Sequence, residues 1–172
     1  MADENNKAPE EKPESTENGA AVEENDVTFR VLGQYLKDLS FENPNAPASL
    51  NPEAEGPNIE ISVNVNANVL AENTYEVELA LKAMATTADQ TVFAVELLYA
   101  GVFQVENFPD ENLQPLILIE CPRMLFPFAR QILASASRDG GYPPLLLDPI
   151  DFAGLYQQRM AEAAEEETSG TA

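Results

Sequence analysis

A chain of 172 residues with 44% hydrophobic content has room for one globular domain with tails. Its 30 acids against 9 bases give a formal charge of −21, which argues against nucleic acid or an anionic membrane as partner, since both need Lys/Arg patches. With one Cys and no His, the chain can form no internal disulfide, no Cys/His zinc site and no Ser–His or Cys–His pair for nucleophilic catalysis.

Residues 1–26 hold nine acids and two lysines among Asn, Pro and small residues. They cannot bury enough apolar surface to offset the entropy of ordering, so a disordered acidic tail is expected. The opening MADENNKAPEE is polar and acidic, unlike a signal peptide, and no apolar run approaches the roughly 20 residues of a membrane helix, so a cytosolic protein is expected. The charge is not confined to the ends: residues 27–156 still carry seventeen acids against six bases.

From Val27 the pattern changes. Val27, Phe29, Val31, Gly33 and Tyr35 alternate in VTFRVLGQY, which predicts a strand. KDLSFENPNAP, residues 37–47, reads as the end of that strand and the start of an ordered, irregular connector bearing Asp38 and Glu42 around Phe41. Pro44 and Pro47 keep the connector out of a central ladder. The crossing over residues 41–58 holds four prolines and one glycine, a length usually functional or disordered. In IEISVNVNANV, Ile61, Val63, Val65 and Val69 face one way and Glu60, Ser62, Asn64, Asn66 and Asn68 the other. One wet face predicts an antiparallel sheet. The turn AENT, the strand YEVELALKAMA, the loop TTADQ and the strand TVFAVELLYAGVFQV complete a meander of hairpins.

After Pro109 the apolar period lengthens. Leu125, Phe128, Ala129, Ile132, Leu133 and Ala136 recur at helical spacing, with Pro122 suited to a first turn, Pro127 expected to loosen or kink the helix, and Gly140 and Gly141 to stop it. Cys121, in an apolar run, reads as a buried inert thiol. Asp151 is a good N-cap for a last helix carrying Phe152, Leu155 and Tyr156 on one side. Residues 157–172, with four acids and one arginine, are expected to continue that helix briefly and end as a mobile acidic tail. Four strands followed by two C-terminal helices, with a long Pro-rich crossover, make an α+β fold.

KDLSFENPNAP, CPRMLFPFARQ (residues 121–131) and GGYPPLLLDPIDFAGLY (residues 140–156) stand in order and at compatible spacing. Together they resemble the signatures of SecB, the bacterial protein-export chaperone family, over residues 27–156. The resemblance implies a four-stranded antiparallel sheet with two helices, paired into a dimer of dimers around the long helices. Leu125, Phe128, Ile132 and Leu133 are the expected interface, with an ordinary intrachain core as the other reading of the same apolar helix. It implies a cytosolic, ATP-independent holdase that keeps precursor proteins unfolded and delivers them to the SecA translocation ATPase, with no active site, metal or cofactor. Phe41, Pro44, Leu50, Tyr142, Phe152, Leu155 and Tyr156 are candidates to line the groove for unfolded polypeptide; plain core packing is the alternative for each. Asp38, Glu42, Ala94 and Glu96 match the family's SecA-docking positions; unrelated solvated acids are the alternative there. The chain departs from the family pattern in having no Trp, in the polar run NPEAEGPN at residues 51–58, and in Ala94, where a larger apolar residue is common.

A rival reading is an acidic binding protein or nucleic-acid mimic that blocks a basic site on a target. It needs no apolar groove, and its binding weakens steeply with salt for every ligand. An enzyme ranks third, because only carboxylate, Lys, Tyr or oxygen-ligated metal chemistry is left to it and no Asp-rich calcium loop appears.

Overall fold

Alternation of β-branched and aromatic residues with polar ones builds four antiparallel strands in the computed structural model, which describes residues 26–51, 56–88 and 90–169. All but the last residue of the expected N-terminal tail lies outside the described residues. Strands β1 (Thr28–Glu42), β2 (Asn58–Ala71), β3 (Thr74–Thr87) and β4 (Gln90–Glu106) form one sheet in the order β1-β4-β3-β2. The meander β2-β3-β4 turns between its first two strands at Asn73, whose φ of 57° lies in the left-handed region that Asn tolerates. The segment 43–57 leads from β1 at one edge to β2 at the other, and among its described residues Ala48–Leu50 forms a 3-10 turn.

The first strand is longer than its sequence pattern predicts. Residues 37–42 belong to β1 rather than to the connector, so Asp38, Phe41 and Glu42 sit on a ladder with β4. Two register shifts, between Val31 and Gly33 and between Leu36 and Asp38, explain why simple alternation fails here. Each extra residue moves the following side chains to the other face. Phe29 and Val31 pack on the core, whereas Tyr35, read as their companion, points to the opposite face.

The helical layer covers one face of the sheet. It begins at Asp110, earlier than Pro122: α1 (Asp110–Pro115), a π turn (Leu116–Glu120) and α2 (Cys121–Asp139) follow one another without a break. Pro122 has no N–H, and its ring would press on the carbonyl four residues earlier. The chain answers with the wider turn, in which the Cys121 N–H bonds the Leu116 carbonyl. Helix α2 buries Cys121, Leu125, Phe126, Ala129 and Leu133 against β3 and β4. Gly101 permits the approach, because a Cβ there would lie 2.8 Å from Leu125 Cδ2. Leu125 and Leu133 are both 0% exposed in the chain's own core, beside Val77, Leu79, Leu81, Val95 and Phe103. They are therefore not interface residues, because their spacing places them on the sheet-facing stripe. Burial of each such side chain contributes about 1.5–3 kcal/mol.

Helix α3 (Phe152–Ser169) starts at Asp151, whose Oδ1 accepts the Gly154 N–H at 3.0 Å. It runs past residue 156, where the sequence places the end of the core. Arg159 fastens it to β2, donating to the Val65 carbonyl and, at 3.1 Å, to Asn64 Oδ1.

Candidate binding surfaces

The sheet face turned away from the helices gathers all four residues expected to dock SecA. In the β1–β4 ladder Asp38 stands opposite Leu98, Ser40 opposite Glu96, and Glu42 opposite Ala94. On the other side of β4, Glu96 faces Lys82 and Ala94 faces Met84. Glu96 is exposed and paired with Lys82 Nζ at 3.0 Å. Because Ala94 is small, a shallow cavity of about 260 Å³ opens there, lined by Glu60, Ser62, Lys82, Met84 and Glu96 among others.

The same face carries a cluster that sequence reasoning missed. The Tyr35 hydroxyl donates to Glu76, and Lys37 reaches Glu76 at 3.0 Å and also Glu78. Asn68 and Asn66 of β2 donate to Glu76 and Glu78 at 3.3 and 3.1 Å. Glu76 is only 8% exposed. The Tyr35 hydrogen bond, followed by Lys37, holds its carboxyl below the usual range; Lys37 and then Asn66 do the same for Glu78. The facing Asn and Glu residues were legible as one wet surface. Lys37 was not, because only the first register shift of β1 turns Tyr35, and with it Lys37 two residues on, to that surface.

The seven expected groove residues fall into two places. Phe41 stacks on Phe93 at 5.6 Å between ring centroids, and Phe93 lies 4.8 Å from Tyr142. The Tyr142 hydroxyl lies 2.7 Å from Asn43 Oδ1, 2.8 Å from Ser49 Oγ and 3.2 Å from the Val92 carbonyl. Leu50 and Tyr142 line a cavity of about 550 Å³ with Pro57, Thr91 and Pro143; Pro44 is exposed nearby on the crossing. Leu155 and Tyr156 line a different cavity, of about 190 Å³, with Val63, Val65 and Leu118. Phe152 touches it from beneath, being 1% exposed and set edge-on to Phe126, so it is a core residue. A third cavity, of about 470 Å³, continues along β2 between Ala67, Val69, Tyr75, Leu113 and Ile117. The last two lie in turn along β2, over Val63–Val65 and Asn66–Val69, whereas the first lies before the strand, between the crossing and the turn after α2. The alternation of β2 signalled its apolar face, but nothing in the sequence placed α1 and the π turn beside it.

Of the expected interface residues, Phe128 is 51% exposed and Ile132 half-buried. Phe128 stacks on Tyr99 at 6.4 Å, and Tyr99 pairs with Leu36, itself 46% exposed. With Met124 and Leu39 these make an exposed apolar surface on the helical side of the β1 edge. Cys121 is fully buried, and burial pushes its thiol up to about 12, so it is inert as expected.

Residues 22–163 match the family described as preprotein translocase subunit SecB. The protein-export protein SecB of Rhodopseudomonas palustris (strain BisB18) is 61% identical over 136 residues, covering 79% of this chain and 83% of the relative. That of Azorhizobium caulinodans is 52% identical over 159 residues, 92% and 99% of the two chains. Among solved structures, a Mycobacterium tuberculosis SecB-like chaperone in complex with a ChAD peptide from an antitoxin superposes with a TM-score of 0.59 at 17% identity, covering 72% of this chain and 91% of that one. This last likeness bears on the fold alone. A family match over residues 22–163 and relatives of such identity establish that the chain belongs to the SecB family of protein-export chaperones.

Proposed function

We propose that the protein is a cytosolic, ATP-independent holdase that keeps precursor proteins unfolded and passes them to SecA. Membership of the SecB family carries this reading. The partly apolar cavities beside the crossing and along β2 suit it, because an extended chain that is not recognised by sequence needs a long surface of adaptable apolar contacts. The groove runs from Leu50 and Tyr142 beside the crossover toward Leu155 and Tyr156, with Phe41 and Pro44 at its crossover end. Asp38, Glu42, Ala94 and Glu96 form the SecA-docking patch, where acids meet basic side chains of the ATPase and give orientation and rate. Phe128, Ile132 and the apolar edge of β1 are buried between subunits of a dimer of dimers. The acidic-mimic reading is not favoured, since it leaves the cavities and the exposed apolar surface without a use. The family consists of chaperones, not enzymes, and the mechanism requires no active site or cofactor.

The test is light scattering after size exclusion, with and without an unfolded precursor of an exported protein. A particle of four chains that retains the precursor in moderately high salt supports the reading. A monomer that ignores unfolded polypeptide overturns it.

A further inference from the structure

We propose that the Tyr142 hydroxyl is a positioning group that holds the crossing segment as a fixed wall of the polypeptide groove and thereby sets how long a bound chain stays. This rests on the groove reading above. Residues 44–50 are all exposed except Ser49, which is half-buried, so burial of apolar side chains does little to hold them. Their attachment is made by hydrogen bonds. Asn45 Nδ2 donates to the Thr91 carbonyl at 2.8 Å, and Asn43 Nδ2 to the Gly140 carbonyl at 3.2 Å. The remaining polar groups, Asn43 Oδ1 and Ser49 Oγ, converge on one phenol that also meets the Val92 carbonyl. Tyr142 thus joins the crossing, the start of β4 and the turn after α2 at a single atom.

The same atom decides what the groove offers a ligand. With Tyr142, Asn43 and Ser49 satisfied among themselves, the surface left to a bound chain here includes the Tyr142 ring, Leu50, Pro57 and Pro143. The contact between crossing and turn is tight: a Cβ at Gly141 would lie 2.9 Å from Leu50 Cδ2, and one at Gly140 would lie 2.3 Å from the Phe41 ring. A wall fixed in advance spares a ligand the entropy of ordering it, and such preorganisation is expressed chiefly in the dissociation rate. Tyr142→Phe removes the hydroxyl while leaving a ring to pack tilted against Phe93. Loss of about one ordinary hydrogen bond corresponds to fivefold to tenfold faster release.

The experiment follows release of a fluorescein-labelled extended peptide rich in apolar and aromatic residues by stopped flow, with amide exchange of residues 43–51 read by mass spectrometry. Tyr142→Phe is expected to speed release about fivefold or more and to speed exchange in the crossing, with the number of peptides bound and the association rate nearly unchanged. The double variant Asn43→Ala, Ser49→Ala strips the hub from the other side and must give at least the same acceleration, since it also removes the Asn43–Gly140 bond; this covers a folding failure of the first. A lowered thermal midpoint with an unchanged release rate marks the hub as structural only and overturns the proposal. Leu50→Asp is the control for the groove itself. If it abolishes binding while Tyr142→Phe releases peptide as wild type does, the proposal fails and the groove reading stands. If Leu50→Asp binds normally, the groove reading fails and takes the proposal with it.

Discussion

Glu76 stays charged on a sheet face although it is nearly buried, and three neighbours explain how. Tyr35, Lys37 and Asn68 all hydrogen-bond its carboxylate, and desolvation, which works against the charge, is outweighed. A carboxyl held below its ordinary value of 4.5 stabilises the fold fully above that pH and loses its contribution as pH falls through the lowered folded value. Lys37 is shifted the other way, above 10.5, so its contribution is complete below that pH and is lost as pH rises through its folded value. The cluster is therefore intact across neutral pH and fails first on the acid side. Tyr35→Phe removes the largest cause of the Glu76 shift and leaves a buried carboxylate with fewer donors. Urea midpoints of wild type and variant should differ most above about pH 5 and converge as pH falls through the lowered folded value of Glu76, below which its carboxyl is protonated in both. A constant difference across that range would assign the effect to packing of the ring instead.

At the scale of the element, α2 serves two masters, and its faces are separable by mutation. Leu125→Ala removes a fully buried side chain over Gly101 and should cost about 2–5 kcal/mol of unfolding free energy. Phe128→Ser removes an exposed ring and should leave the chain folded while shifting the scattering mass of the particle downward. Equal loss of stability from both would mean that Phe128 belongs to the core of one chain. The helical periodicity that identified α2 was legible, as were the meander and the cap at Asp151. The direction of the apolar stripe was not: the sequence shows that Leu125, Phe128, Ile132 and Leu133 are apolar, but only the position of β4 decides which of them lie beneath the helix. The start of the helix was hidden because Pro122 read as its first turn, whereas a π turn carries the helix through from Asp110. For β1, KDLSFE looked like connector because Lys, Asp, Ser and Glu are poor strand formers; at an edge with one wet face those residues are tolerated, and β4 supplies the ladder. The acids of the docking patch were legible as residues and as the β4 face of Glu96, but their meeting with Asp38 and Glu42 depends on the register of a strand pair far apart in sequence.

Across the whole molecule the charge of −21 and the apolar surfaces divide the work of a carrier. If an unfolded chain is retained along β2, the contact is chiefly apolar and should be nearly indifferent to salt. If SecA docks on Asp38, Glu42 and Glu96, the contact is chiefly Coulombic between exposed groups and should be screened as the Debye length shortens. Raising salt from about 50 to about 300 mM should weaken SecA binding by on the order of tenfold while changing precursor retention less than about twofold. The double variant Asp38→Asn, Glu42→Gln should reproduce the first effect at low salt and spare the second, because both side chains lie on the face opposite the cavities. Lys82 sharpens the comparison. It already compensates Glu96 at 3.0 Å, so Glu96→Gln alone should weaken docking less than the double variant does. Calorimetry of SecA binding together with a precursor-retention assay across the salt series checks both arms. Parallel loss of docking and retention with salt would mean that one electrostatic surface serves both ligands, and the separation of cargo face from partner face would be wrong.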